Sequence, residues 1–236
     1  MLAKTNKPMG LTIHYKFKLD SASPEQVREK IIALRKVALE LPFEEVGDLV
    51  EIQGEKCKFD KENVDDPNIF LKLRALKHCE IAIDRFSAID PTYLIAFDTI
   101  VGKGSETAAF GLAAYSTPSE VNDWTWTGFC KTQYASNPEY GGIENFLKCH
   151  LTIVKMLEVA EGLGILEDVG DEGEYWETRN IEVLVSKVEQ MNILVAAVTG
   201  KISDYFKEKE HKKNYSPIFE YPNFEYLEAE GERELG

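Results

Sequence analysis

The sequence is short of bases, of paired cysteines and of long apolar runs. Lys and Arg number 27 against 41 Asp and Glu, a formal charge of −14. General nucleic-acid binding needs clustered cations to neutralise phosphates, so that class is disfavoured. No apolar run approaches the roughly 18 residues of a membrane span. The opening MLAKTNKPMG holds no apolar segment of a signal peptide. A cytoplasmic location with no membrane partner is the expectation. Cys57, Cys79, Cys130 and Cys149 form no Cys-x-x-Cys pair and no zinc-type spacing. Reduced thiols are expected, with neither metal nor cofactor.

What is present is patterned for an α+β fold. LTIHYKFKL, residues 11–19, alternates, with Ile13, Tyr15, Phe17 and Leu19 on one face and Thr12, His14, Lys16 and Lys18 on the other. That is a half-buried strand. Ser23, Pro24 and Gln26 then form a capping box, and Val27, Ile31, Leu34, Ala38 and Leu41 make an apolar helical stripe that stops at Pro42. GDLVEIQGEKCKF reads as a strand, DDPNIFLKLRAL as a short helix or an irregular excursion, and HCEIAID as a strand. TYLIAFDTIVG and AAFGLAAYS read as strands around a Gly-rich turn. Residues 124–134 form a further strand, 143–162 a largely covered helix, and residues from 181 a long amphipathic helix. Two segments share an outline of strand, helix and a closing EEVGD or EDVGD, at 11–60 and 124–180. The expected fold is a mostly antiparallel sheet with helices on one face, built from two related β-α-β units in an enlarged ferredoxin-like arrangement. Residues 11–206 form one domain on this reading. Residues 207–236 form an acidic, aromatic tail that packs on the body or a neighbouring subunit of a homodimer, or stays mobile.

Three segments concentrate polar and aromatic chemistry. In the strand 124–134, Trp124, Trp126, Cys130, Thr132 and Tyr134 share one face, and Thr125, Phe129, Lys131 and Gln133 the other. SNPEYGG leads on to a helix start, where unpaired N–H groups attract anions and Gly142 permits close approach. Lys131 and Gln133 are candidate ligand contacts, with a solvated Lys and a flexible connection as the plainer reading. VGKGSET lacks phosphate-loop spacing and sits between strands, so a tight turn placing Glu106 near the sheet edge is expected. DEGEYWETR offers Asp171, Glu172 and Glu174 as base or metal ligands, though no EF-hand spacing is present, with Trp176 and Arg179 as ligand contacts. The plainer reading there is an acidic loop before a helix capped by Asn180. A nucleophilic Cys130 would need His14 or His150 beside it.

GKGSETAAFGL, WTWTGFCKTQYAS and VGDEGEYWETR together resemble a family of uncharacterised bacterial proteins, over about residues 11–206. The matching positions are Gly102, Gly104, Glu106, Cys130, Lys131, Thr132, Gln133, Tyr134, Asp171, Glu172, Gly173, Tyr175, Trp176 and Arg179. Val101 stands where that pattern has Pro. The resemblance implies no activity. Three functional readings stand open, in order. The first is a small anionic ligand held in a cleft between these segments, with His14 and Lys16 as a matching half-site. The second is an acidic interaction or inhibitor module for a basic protein. The third is a hydrolase- or transferase-like enzyme using Asp171, Glu172 or Cys130.

Overall fold

The computed structural model describes residues 10–82, 85–116, 123–208 and 216–235, with the backbone alone at 78–82, 85–87, 204–208, 232, 234 and 235. The side chains of His78 and Cys79 lie outside the described residues, as do parts of the tail.

The fold is α+β, and the strand and helix patterns explain why. β1 (Thr12–Leu19) buries Ile13, Tyr15 and Phe17 and exposes His14 and Lys16. α1 (Pro24–Ala38) starts with the full capping box: the Ser23 hydroxyl accepts from the Gln26 N–H, and the Gln26 side chain accepts from the Ser23 N–H. Its Val27, Ile31, Leu34 and Ala38 are buried. β2 (Glu45–Val46) and β3 (Val50–Gln53) follow. The strand expected to run on through Gly54–Cys57 instead closes into a short 3-10 helix, because Gly54 turns the chain at φ 61°. α2 (Ile69–Arg74) leads to a hairpin of β4 (Lys77–Ala82) and β5 (Arg85–Ile89). β6 (Tyr93–Ile100), β7 (Ala108–Ala114) and β8 (Trp124–Lys131) come next. α3 (Gly142–Gly162), β9 (Leu166–Asp171), α4 (Tyr175–Thr178), α5 (Ile181–Glu208) and α6 (Phe224–Leu235) complete the chain.

The main sheet runs β2-β6-β7-β8-β1-β9, with β3 also on β6. Each neighbouring pair is antiparallel. Strand directions alternate along that order, so β1 and β2 are parallel, and so are β8 and β9. The two helical crossovers, through α1 and α3, therefore join parallel strands that are not neighbours. α1 packs on β6 and β7, α3 on β1 and β9, and the two helices touch each other. The opposite face is half covered. α2 lies across β6, the Tyr115 hydroxyl donates to the Ala75 carbonyl at 2.6 Å, and Leu94, Ala96, Ala109 and Ala113 are buried beneath.

The sheet parts between β7 and β8. They pair only at Ala113–Thr125 and Ala114–Trp124. Beyond that point the Ala109 carbonyl accepts instead from the Tyr15 hydroxyl at 2.8 Å and from Trp126 Nε1 at 2.9 Å. Buried backbone acceptors must be paired, and here two side chains replace a strand. Gly128 makes room: a Cβ there would lie 2.2 Å from the Tyr15 ring.

The chain after α5 packs on the body. Val195 and Ala196 of α5 form a second small core with Ile218, Tyr221 and Leu227. α6 crosses α5 so closely that a Cβ on Gly231 would sit 2.5 Å from the Ile193 carbonyl.

Candidate functional site

β8 ends at Lys131, and the next residues, Gln133–Ser136, form a 3-10 turn. The expected alternation through Tyr134 stops there. Gln133 consequently swings inward and is fully buried. The Gly-rich turn is stitched to the end of β8. Glu106 N–H donates to the Lys131 carbonyl at 2.9 Å, Glu106 Oε2 accepts from Lys131 N–H at 3.2 Å, and Cys130 Sγ donates to the Glu106 carbonyl at 3.2 Å. Gly104, at φ 79°, abuts the Tyr134 carbonyl so tightly that a Cβ would lie 2.3 Å away.

Two of the three segments, the end of β8 and DEGEYWETR, meet through α3 at a buried hub, and the Gly-rich turn stays beside β8. The Thr132 hydroxyl lies 3.0 Å from His150 Nδ1, and His150 Nε2 lies 3.2 Å from Asp171 Oδ2. A carboxylate only accepts, so in the neutral ring Nε2 carries the proton and Nδ1 accepts from Thr132. Asp171 also accepts from the N–H groups of Gly173 (2.8 Å), Tyr175 (3.0 Å) and Trp176 (2.9 Å). Burial by itself raises the Asp171 pKa. His150 and the Trp176 and Gly173 donors together outweigh it, and the carboxyl is held below its ordinary value. The order hydroxyl, imidazole, carboxylate is that of a nucleophilic relay. Yet the His150 and Asp171 side chains are fully enclosed and Thr132 is 0% exposed. No substrate atom can reach the hydroxyl, so the hub acts as a pin between β8, α3 and β9.

Cys130 is likewise fully buried, and burial pushes its thiol well above the ordinary range. Thiolate chemistry needs the opposite environment. Its neighbour is the Glu106 carbonyl; His150 is engaged by Thr132 and Asp171. Glu172 holds the Thr12 N–H through Oε2 at 2.7 Å. Its Oε1 is buried without a hydrogen-bond partner among the described residues, 3.8 Å from His14 Nε2. His14 stands on the open sheet face beside Phe129, with Lys16 further along the same strand. Arg179 lies over the Trp176 ring at 4.5 Å and pairs with Glu158 at 2.8 Å. Asn180 caps α5, accepting from Glu182 N–H at 2.8 Å. Among the described residues no group of three or more His, Cys, Asp or Glu could hold a metal ion.

A second buried polar network lies against two surface clefts. Gln133 accepts from Leu11 N–H at 3.2 Å and donates to Asn192 Oδ1 at 3.0 Å. Asn192 Nδ2 donates to Ser136 Oγ at 2.9 Å, and Ser136 donates to the Gln133 carbonyl at 2.6 Å. The Ser136 proton is thereby committed, which leaves the Tyr221 hydroxyl, 2.9 Å away, as donor to it. Two clefts flank Tyr221. The larger, about 400 Å³, has Ser136, Asn192 and Tyr221 in its lining, with Ile143, Ile193 and Leu227 as apolar walls and Gly142 at its edge. The smaller, about 310 Å³, includes Glu106, Tyr134, Tyr140, Glu220 and Tyr221. Gly142 and Glu106 thus belong to different clefts, and neither cleft includes His14, Trp176 or Arg179. Sequence reasoning missed Ser136, Asn192 and Tyr221. The available signal was Asn192 on the apolar stripe between Val188 and Val195, since a buried amide demands partners.

Comparison with protein-family models, with curated proteins and with solved structures finds no match. Among the described residues no helix is long and apolar enough to cross a membrane.

Proposed function

We propose that the protein binds a small polar molecule in the larger cleft, between the start of α3, α5 and the segment before α6. The observation that carries this reading is the cleft's lining: Ser136, Asn192 and Tyr221, all buried and mutually hydrogen-bonded, next to apolar walls. A few oriented polar groups set in an apolar concavity are the usual make-up of a ligand site. Charge narrows the ligand. α3 starts after Gly141, which gives no side-chain cap; the Gly142 N–H is taken by the Asn137 carbonyl at 3.0 Å, and the N–H groups that follow favour an acceptor. The lining includes Glu189 and neither Lys nor Arg, which disfavours a further negative charge. An acceptor at one end and a neutral or cationic body at the other fits both. The reading of an acidic module for a basic partner has the net charge of −14 behind it, but no concavity. We also read the strand order as an enlarged ferredoxin-like arrangement, with the β6–β7 hairpin inserted between β8 and β2.

The test is a thermal-shift panel of amino acids, polyols, amines and carboxylates, followed by methyl NMR of the hits. Ligands of the proposed class should raise the melting temperature and shift the Ile143 and Ile193 methyl signals. A panel in which no compound moves those methyls overturns the reading.

A further inference from the structure

The smaller cleft has a different chemistry from the larger. Tyr134 comes from the turn after β8, Tyr140 from the turn before α3, and Tyr221 from the segment before α6. Glu106 and Glu220 share its lining, which includes no Lys or Arg. We infer that this cleft is a cage for an alkylated ammonium group, which the tyrosine rings surround and the two carboxylates attract.

Two of the three rings are positioned in advance. Tyr221 is 4% exposed and its hydroxyl is fixed on Ser136 at 2.9 Å. Tyr134 packs against the second small core, and its carbonyl is pressed by Gly104, whose φ of 79° shapes that wall. Lys131 Nζ, on a side chain outside the cleft's lining, lies 4.6 Å from the Tyr134 centroid, so the carboxylates must offset its charge for a ligand cation to bind at that ring. Ring quadrupoles attract cations most strongly where water is excluded. A lysine ammonium is a compact, strongly hydrated point charge, so stripping its water to enter the cleft costs more than for an alkylated ammonium. An alkylated ammonium is weakly hydrated and presents an apolar surface, so it gains from both rings and carboxylates. The excess of acids over bases adds a long-range field that concentrates cations at the surface. The chemistry is shared by a free quaternary amine and by a trimethylated lysine of another protein.

The experiment titrates the full chain with choline, with its neutral isostere 3,3-dimethylbutan-1-ol, and with a short peptide carrying trimethyl-lysine, following tyrosine ring signals by NMR. The expected result is saturable binding of choline or the peptide, with the isostere about tenfold weaker or more. The tighter of the two cations names the source. Tyr140→Ala should weaken binding about tenfold while Tyr140→Phe retains it, and Glu106→Gln should weaken it severalfold. Equal binding of choline and the isostere, no saturable binding of either cation, or indifference to Tyr140→Ala overturns the inference. The proposal does not rest on the larger cleft, whose occupancy is read separately at Ile143 and Ile193.

Discussion

Asp171 shows how one residue's environment chooses between chemistry and architecture. Its carboxylate gathers His150 and the N–H groups of Gly173, Tyr175 and Trp176, and its side chain is fully enclosed. A general base needs a lone pair facing substrate; these are all spent on the fold. Asp171→Asn keeps the shape but turns an amide donor toward groups that already donate. Breaking such a buried pair costs roughly 3 kcal/mol, which in a domain of this size lowers the melting temperature by about 6–12 °C. The pH dependence follows from the sign of the shift. A carboxyl whose folded pKa is depressed contributes stability that is fully present above its ordinary value of 3.8 and is lost as pH falls through the lower folded value. Urea titrations at pH 7 and across the acid limb should therefore show the wild type losing stability below about pH 4, and the gap to Asp171→Asn narrowing there. A gap that stays constant down to acid pH would mean that Asp171 is not the titrating pin.

At the scale of elements, the joint between β7 and β8 has the clearest consequence. Tyr15 and Trp126 both reach the Ala109 carbonyl because the strands have parted, and Gly128 leaves the space that Tyr15 fills. Gly128→Ala would drive a methyl into that ring. Overpacking of this kind costs about 1–3 kcal/mol. The expected outcome is a lower urea midpoint together with a changed near-ultraviolet signal from Tyr15 and Trp126, and an unchanged midpoint would show that the ring moves freely. Nothing in WTWTGFCKTQYAS announces this joint. The alternation correctly assigns Trp124, Trp126 and Cys130 to the buried face, since period two is a local property. Ser23, Pro24 and Gln26 are legible as a helix start for the same reason. Where β8 ends and Gln133 turns inward depends on Asn192, 59 residues away, and on Leu11, 122 residues away. The site was legible only to the extent that the end of β8 and DEGEYWETR approach one another, through His150, with the Gly-rich turn beside β8. That their meeting point is buried, with Glu106 and Gly142 drawn into separate clefts, depends on α5 and the C-terminal segment.

For the whole molecule, the division of the core matters more than its size. Among the described residues the buried members of the main cluster run from Leu11 to Val188, with Met191 partly buried against it. Val195, Ala196, Ile218, Tyr221 and Leu227 are the buried members of the second cluster, with Tyr134, Met191, Ile193 and Phe224 packed against it. Both clefts lie along that seam, since Tyr221 lines each of them. Ending the chain at residue 208 would remove Glu220, Tyr221 and Leu227 from their walls while leaving the main core intact. It would also expose Val195 and Ala196 and deprive Ser136 of one hydrogen-bond partner. A lost hydrogen bond and a few uncovered apolar side chains amount to a few kcal/mol at most, less than a domain's typical stability of about 5–15 kcal/mol. The truncated protein should therefore keep its circular dichroism spectrum and a cooperative melt at a lower temperature. In the same sample, ligand effects should vanish at both the Ile143 and Ile193 methyls and the Tyr134 and Tyr140 rings. Collapse of the whole fold on truncation would show that the two clusters are one cooperative unit. Retained binding at either cleft would show that the C-terminal segment is not part of that site. Because the segment closes both sites and belongs to neither the sheet nor its two crossovers, ligand binding should in turn protect the backbone amides of 217–227 from hydrogen exchange more than those of β1 or β8.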